Sequence, residues 1–188
     1  MKFMIASDLH GSAYYTRQLL DTFRREGADR LILLGDLLYH GPRNDLPKEY
    51  APKEVIALLS EYKDKVLCVR GNCDTEVDQM VLPFPILADY AVLPVGIRLM
   101  YCTHGHHFNV DALPPMQKTD ILIYGHTHVP MLHVTEECVC LNPGSVSIPK
   151  ENSWHGCMTL EDGHFRWLDF DGNVKMEYDI HWKIPGSN

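Results

Sequence analysis

Residues 2–11 read Lys2-Phe3-Met4-Ile5-Ala6-Ser7-Asp8-Leu9-His10-Gly11, an apolar run that stops at a carboxylate and an imidazole. Length and side-chain type predict a buried strand over Lys2 to Ala6, with the polar residues in the loop that follows it. The same figure returns downstream. Leu33-Leu34-Gly35 runs into Asp36, Cys68-Val69-Arg70-Gly71 into Asn72, Tyr101-Cys102-Thr103 into His104, and Ile123-Tyr124-Gly125 into His126 and His128. Strands that each end in a metal-binding group would deliver those groups to one crevice, because open sheets of parallel strands gather their ligands beyond the carboxyl ends.

Working outward, apolar β-branched runs at Lys2 to Ala6, Arg30 to Leu34 and Lys65 to Val69 alternate with helical stretches at Tyr14 to Glu26 and Pro52 to Tyr62. This predicts a β-α-β-α-β opening. Leu19, Leu20 and Phe23 recur at helical spacing opposite Arg17, Asp21, Arg24 and Arg25, Gly27 suits the helix end, and Pro52 suits the first turn of the next helix. The second half changes character. Ala88 to Leu93 and Ile97 to Thr103 flank a Pro-Val-Gly turn and read as a hairpin, and Asp120 to Tyr124 reads as a buried strand. Short strands follow at Met131 to Thr135, Cys138 to Leu141, Cys157 to Leu160, Phe165 to Phe170 and Val174 to Tyr178, separated by turns such as Asp171-Gly172-Asn173. The expected architecture is α/β: two sheets face to face, with helices on the outer faces. The loop from Tyr39 to Ala51 is long for a simple connection and is expected on the substrate side. Residues 1–182 are expected to form one domain and 183–188 a flexible tail.

Composition narrows the function. The chain has 188 residues, 45% of them hydrophobic, enough for one core. The apolar start is too short for a signal peptide or a membrane span, so a cytoplasmic protein without membrane contact is expected. The six cysteines are scattered and read as reduced thiols. A formal charge of −8 argues against binding long nucleic acid, although bound divalent cations would still admit a small anionic substrate. Homo-oligomerisation is left open by the sequence.

Eleven histidines are many for this length, and histidine is the commonest transition-metal ligand. Carboxylate, imidazole and amide oxygen together suit manganese, iron, zinc or nickel better than a thiolate site would. Seven such groups (Asp8, His10, Asp36, Asn72, His104, His126 and His128) exceed what one tetrahedral ion needs, and two ions sharing a carboxylate match the number. Each block alone has an ordinary reading. Asp8-Leu9-His10 could be a polar turn, Asn72 an αL turn or helix cap, and His104 with His106 and His107 a solvated loop. The paired imidazoles of Gly125-His126-Thr127-His128 are harder to explain by packing, and the ordered conjunction is far more specific than any member.

D-x-H, G-D, G-N-x-D, T-H-G-H and G-H-T-H, in that order over residues 8–128, resemble the calcineurin-like metallophosphoesterase signature. With Asn142-Pro143-Gly144-Ser145, the chain is most similar to the small bacterial phosphodiesterases of that family. The resemblance implies a four-layer α/β/β/α sandwich of two mixed sheets. It implies one divalent metal on Asp8, His10, Asp36 and His128 and a second on Asp36, Asn72, His104 and His126, with Asp36 as the bridge and manganese the expected ion. It also implies phosphodiester hydrolysis through in-line attack by a metal-bridging hydroxide, on a small phosphate ester. A phosphomonoesterase or nucleotidase with the same metals is the alternative, and a protein-interaction scaffold, a use to which this fold has also been put, is the alternative from another class. The expected catalytic residues are Asn72, Cys73, His104 and His106. The chain departs from the family at Cys73, where many relatives carry the histidine that protonates the leaving group. Cys73 could donate a proton poorly or simply pack, and His106 is the neighbouring imidazole able to take over substrate contact or proton transfer.

Overall fold

Burial along the first strand, β1 (Lys2–Ala6), dictates the layering. Met4 and Ala6 point to one face and Ile5 to the other, and all are fully buried, so a layer must cover each face. The computed structural model, which describes residues 1–180, supplies both layers. After β1 come α1 (Ala13–Arg25), β2 (Arg30–Leu33), α2 (Pro52–Ser60), β3 (Val66–Cys68), α3 (Glu76–Val81), β4 (Tyr90–Val95), β5 (Arg98–Thr103), β6 (Ile121–Ile123), β7 (Pro130–Val134), β8 (Val139–Pro143), β9 (Gly156–Glu161), β10 (His164–Asp169) and β11 (Val174–Asp179). The expected domain end at 182 and the tail at 183–188 lie outside the described residues.

The strands form a six-stranded sheet in the order β11-β10-β9-β1-β2-β3 and a five-stranded sheet in the order β4-β5-β6-β8-β7. Both are mixed. β1, β2 and β3 run parallel, as do β5, β6 and β8, while β9 returns antiparallel beside β1. The expected β-α-β-α-β opening is therefore present.

Helix α1 starts where Ser12 Oγ accepts a hydrogen bond from Tyr15 N, and it buries Leu19, Leu20 and Phe23 against the outer face of the six-stranded sheet. Each such side chain contributes about 1.5–3 kcal/mol by leaving water. Pro52 opens α2, which buries Val55 and Leu59 on the same layer. Ile5, Ile32, Met100, Ile123, Leu141, Phe165 and Trp167 fill the space between the sheets.

Two mixed sheets flanked by helices are the expected fold class, and two local features go beyond that reading. Helix α3 was not anticipated. It is six residues long, buries none of its side chains and leaves Val77 and Met80 exposed, so it shows no apolar period, and only the capping box of Thr75 and Asp78 marks it. Over the outer face of the five-stranded sheet, Leu122, Tyr124 and Cys140 are covered by Val110 and Met116 from the segment between β5 and β6, which is not helical among the described residues. Pro114 and Pro115 in that segment oppose a helix there. The six cysteines are free thiols, five of them buried, and no helix of the described residues is long and apolar enough to cross a membrane.

Candidate metal centre

The parallel strands of both sheets end at one edge, and all seven candidate ligands leave from those ends. Asp8 and His10 follow β1, Asp36 follows β2, Asn72 follows β3, His104 follows β5, and His126 and His128 follow β6. Backbone bonds tie the loops together: Asp8 N donates to Gly35 O, His10 N to Asp36 O, and Gly125 N to His104 O. The sheets are joined at the same place by His126 N donating to Asp8 Oδ2 at 3.0 Å and by His104 Nδ1 on Leu34 O at 2.7 Å.

Of the nine non-glycine residues with positive φ among the described residues, five are Asp8, His10, Asp36, His126 and His128. Side chains avoid that region, at a cost of order 1–3 kcal/mol each, and such residues concentrate at functional sites. The crowding is severe enough that a β-carbon at Gly71 would overlap Asp36 Oδ1, and one at Gly125 would overlap Ser7 Oγ.

The side chains converge as two overlapping groups. In one, His10 Nε2 lies 3.2 Å from His128 Nε2, and Asp8 Oδ1 lies 3.5 Å and 3.3 Å from those nitrogens. In the other, His104 Nε2 lies 3.1 Å from Asn72 Oδ1 and 3.3 Å from His126 Nδ1. Asp36 Oδ2 stands between them, 3.7 Å from His10 Nε2 and 3.4 Å from His104 Nε2.

The far ring nitrogens show what the near ones are for. His10 Nδ1 donates to Tyr39 O at 2.7 Å, His128 Nδ1 to Ile148 O at 2.6 Å and His104 Nδ1 to Leu34 O. A carbonyl only accepts, so each Nδ1 carries a proton, and in its neutral form each ring turns an Nε2 lone pair inward. Lone pairs facing one another at 3.2 Å repel unless a cation lies between them. Asp8 Oδ1, fully buried, has no hydrogen-bond partner and faces the same point. The donor set therefore fits divalent metal.

The charge balance agrees. Burial alone would favour a neutral Asp8, but the neighbouring imidazoles of His10, His128 and His104 outweigh it and hold the carboxyl well below its usual range. Burial opposes charge on His104 too, yet the carboxylates of Asp36 and Asp8 push it up to about 9. A cluster that retains a buried imidazolium is short of positive charge.

Residues 1–163 match the model of the calcineurin-like phosphoesterase superfamily domain. The chain belongs to that family. It is 50% identical over 150 residues to phosphodiesterase YfcE of Escherichia coli K12, a match covering 80% of this chain and 82% of that protein. The solved structure of the E. coli phosphoesterase Yfce superposes with a TM-score of 0.92 at 43% identity, covering 96% of this chain and all of the other. A Vps29 mutant from Entamoeba histolytica shares the fold, with a TM-score of 0.65 at 24% identity over 95% of this chain and 99% of its own.

Other expected site residues are placed less centrally. Cys73 Sγ lies within 4.8 Å of the ligand atoms of His10 and Asp36. Burial and the Asp36 carboxylate push its thiol up to about 12, before any cation neutralises that carboxylate. His106 packs against His104, His107 and His126 with its Nδ1 buried and unpartnered, and burial and the His104 charge bring it down to about 4. It does not line the cleft. That cleft, of about 450 Å³, is walled by His10, Asp36, Asn72, Cys73, His126 and His128 together with part of the 39–51 loop and Lys150. The long loop thus lies beside the centre, as its length led us to expect.

One functional residue escaped the sequence reading although it stands in the G-N-x-D block. Buried Asp74 accepts hydrogen bonds from Asp36 N and Gly71 N at 2.8 Å and from Leu37 N at 2.9 Å, pinning the loops after β2 and β3 to each other. Ser145 and Ser147 perform the equivalent service for Asp8, each donating to its carbonyl at 3.0 Å. Asp74→Ala strands three backbone donors, at roughly 1–3 kcal/mol each. Thermal unfolding is expected to show a loss of at least about 3 kcal/mol in Asp74→Ala and a smaller one in Asp74→Asn, whose carbonyl still accepts from Asp36 N and Gly71 N while its amide group faces Leu37 N. Equal stability of Asp74→Ala and wild type would remove the clamp from the account.

Proposed function

We propose that the chain is a metal-dependent phosphodiesterase working at a dinuclear centre. In this reading Asp8, His10, Asp36 and His128 hold one divalent cation, Asp36, Asn72, His104 and His126 the other, and manganese is the preferred ion. The observation that carries it is Asp36 Oδ2, which stands between two separate groups of inward-facing donors. The phosphodiesterase name of the 50%-identical E. coli relative supports the choice of ester.

When bound, the two cations supply Lewis acidity for the phosphoryl oxygens and activation of a water. The chain's own contribution is positional. Carbonyls of Tyr39, Leu34 and Ile148 fix the imidazole tautomers. Cys73 N, donating to Asp36 Oδ1 at 2.8 Å, holds that carboxylate in orientation. Asn72, an exposed residue, presents its amide at the mouth of the cleft, where it can donate to a phosphoryl oxygen. A small phosphate ester fits a cleft of this size.

Metal removal tests the reading. Chelated protein is expected to be inactive on a panel of aryl and nucleotide mono- and diesters. Manganese should restore diester hydrolysis, with about two equivalents bound by elemental analysis. Activity untouched by thorough chelation, or restoration on monoesters alone, would overturn it.

A further inference from the structure

The cleft beside the centre carries more positive charge than one phosphodiester calls for. Arg43, from the loop between β2 and α2, and Lys150, from the turn after β8, both line it. Several other basic residues of this acidic chain are neutralised by a neighbouring carboxylate. Arg17 is paired with Glu49 and Glu54, Arg24 with Asp21, Arg166 with Glu26, and Lys118 with Glu137. Among the described residues no carboxylate lies within ion-pair distance of Arg43 or Lys150, although Asp and Glu outnumber Lys and Arg by 25 to 17.

Both are also mounted on backbone tied to the site. Gly41, at φ 77°, and Asn44, whose side chain donates to His40 O at 2.8 Å and whose backbone N–H donates to Gly41 O at 3.3 Å, close the turn that carries Arg43. Lys150 N donates to His128 O at 3.1 Å, and Ser153 Oγ donates to Lys150 O at 2.6 Å. Solubility does not require two uncompensated cations on the wall of one cleft.

The reacting phosphate does not require them either. Two divalent cations would leave two positive charges beyond the carboxylates of Asp8 and Asp36, and a hydroxide nucleophile with the single negative charge of a diester would balance them. We infer that Arg43 and Lys150 form a second anion subsite, and that the preferred substrates are phosphodiesters bearing a further phosphate on one ester arm. The subsite rests on the phosphodiesterase reading above and adds the substrate class to it. Two ion pairs at exposed positions correspond to roughly a tenfold preference.

The test uses the manganese-loaded full chain and two substrates with the same leaving group, thymidine 5′-(p-nitrophenyl phosphate) with and without a 3′-phosphate. Wild type is expected to favour the 3′-phosphorylated ester about tenfold in kcat/KM, mainly through KM, and the preference should shrink as salt is raised. In the Arg43→Ala/Lys150→Ala double variant, with metal content and unfolding temperature checked, the ratio should fall to about one. A wild-type ratio near one overturns the subsite, and so does a preference that survives in the double variant, which would belong to the metal charge alone. If neither ester is hydrolysed, the phosphodiesterase reading fails separately. The subsite is then judged by calorimetry, from the wild-type affinity for thymidine 3′,5′-bisphosphate over thymidine 5′-phosphate. Loss of that preference in the double variant supports the subsite, and its absence in wild type or retention in the variant overturns it.

Discussion

Asp36→Asn is expected to cost on the order of 10³-fold or more in kcat/KM, because it removes the one charge shared by both groups of donors and so weakens two cations at once. Geometry permits the substitution. Asparagine is isosteric, and its carbonyl can still accept from Cys73 N in the place of Asp36 Oδ1. What is lost is the negative charge at Oδ2, 3.7 Å from His10 Nε2 and 3.4 Å from His104 Nε2. His10→Ala acts mainly on one group, since His10 Nε2 neighbours Asp8, Asp36 and His128 and makes no hydrogen bond with Asn72 or His126 among the described residues. Elemental analysis after gel filtration should therefore find both equivalents depleted in Asp36→Asn and mainly one in His10→Ala. If both variants lose the same single equivalent, Asp36 is an ordinary ligand of one site and the bridging assignment goes.

The seven donors were legible in the sequence because each carries its chemistry in its own residue type and each stands at the end of an apolar run. Their meeting point was legible for a similar reason, since parallel strands deliver their carboxyl ends to one edge. The division of strands between sheets was not. β9, β10 and β11 are read from sequence as three more short strands, yet they return to the first sheet beside β1, and only the pairing of Lys2 to Ile5 with Met158 to Glu161, more than 150 positions away, decides it. Periodicity is a local signal and holds no information about such a partner.

Asp74 shows a different limit. In the sequence it is one more polar turn residue, and its importance comes from backbone N–H groups of Asp36, Leu37 and Gly71 that no side-chain pattern advertises. Arg43 and Lys150 are legible as cations, but the absence of a counter-charge is a property of the folded surface. Helix α3 fell between the two cases, because its Thr75–Asp78 capping box is a local signal that a six-residue element without a buried face does little to reinforce.

Cys73→His is expected to change which esters the enzyme can cleave, and the effect should be largest where the leaving group is worst. The family resemblance implies that an imidazole at this position protonates the departing oxygen. Here the side chain stands at the same mouth of the cleft, with Sγ close to the ligand atoms of His10 and Asp36. Burial pushes the thiol further above its ordinary value, which already lies above neutrality, and so it helps an alkoxide leave far less than an acid near pH 7 would. An aryl oxide departs unaided, whereas an alkyl alcohol leaves poorly without protonation. The wild-type enzyme should accordingly show kcat/KM falling steeply as leaving-group pKa rises. Cys73→His, with metal content verified as unchanged, should flatten that slope and raise the rate on alkyl diesters by up to the roughly 10²–10⁴-fold of a positioned general acid. Space favours the exchange, because Cys73 is only half-buried and opens onto the cleft. Cys73→Ala serves as the control. An unchanged slope in Cys73→Ala shows that the thiol donates no proton, and an unchanged slope in Cys73→His as well would mean that leaving-group preference is set elsewhere in the cleft.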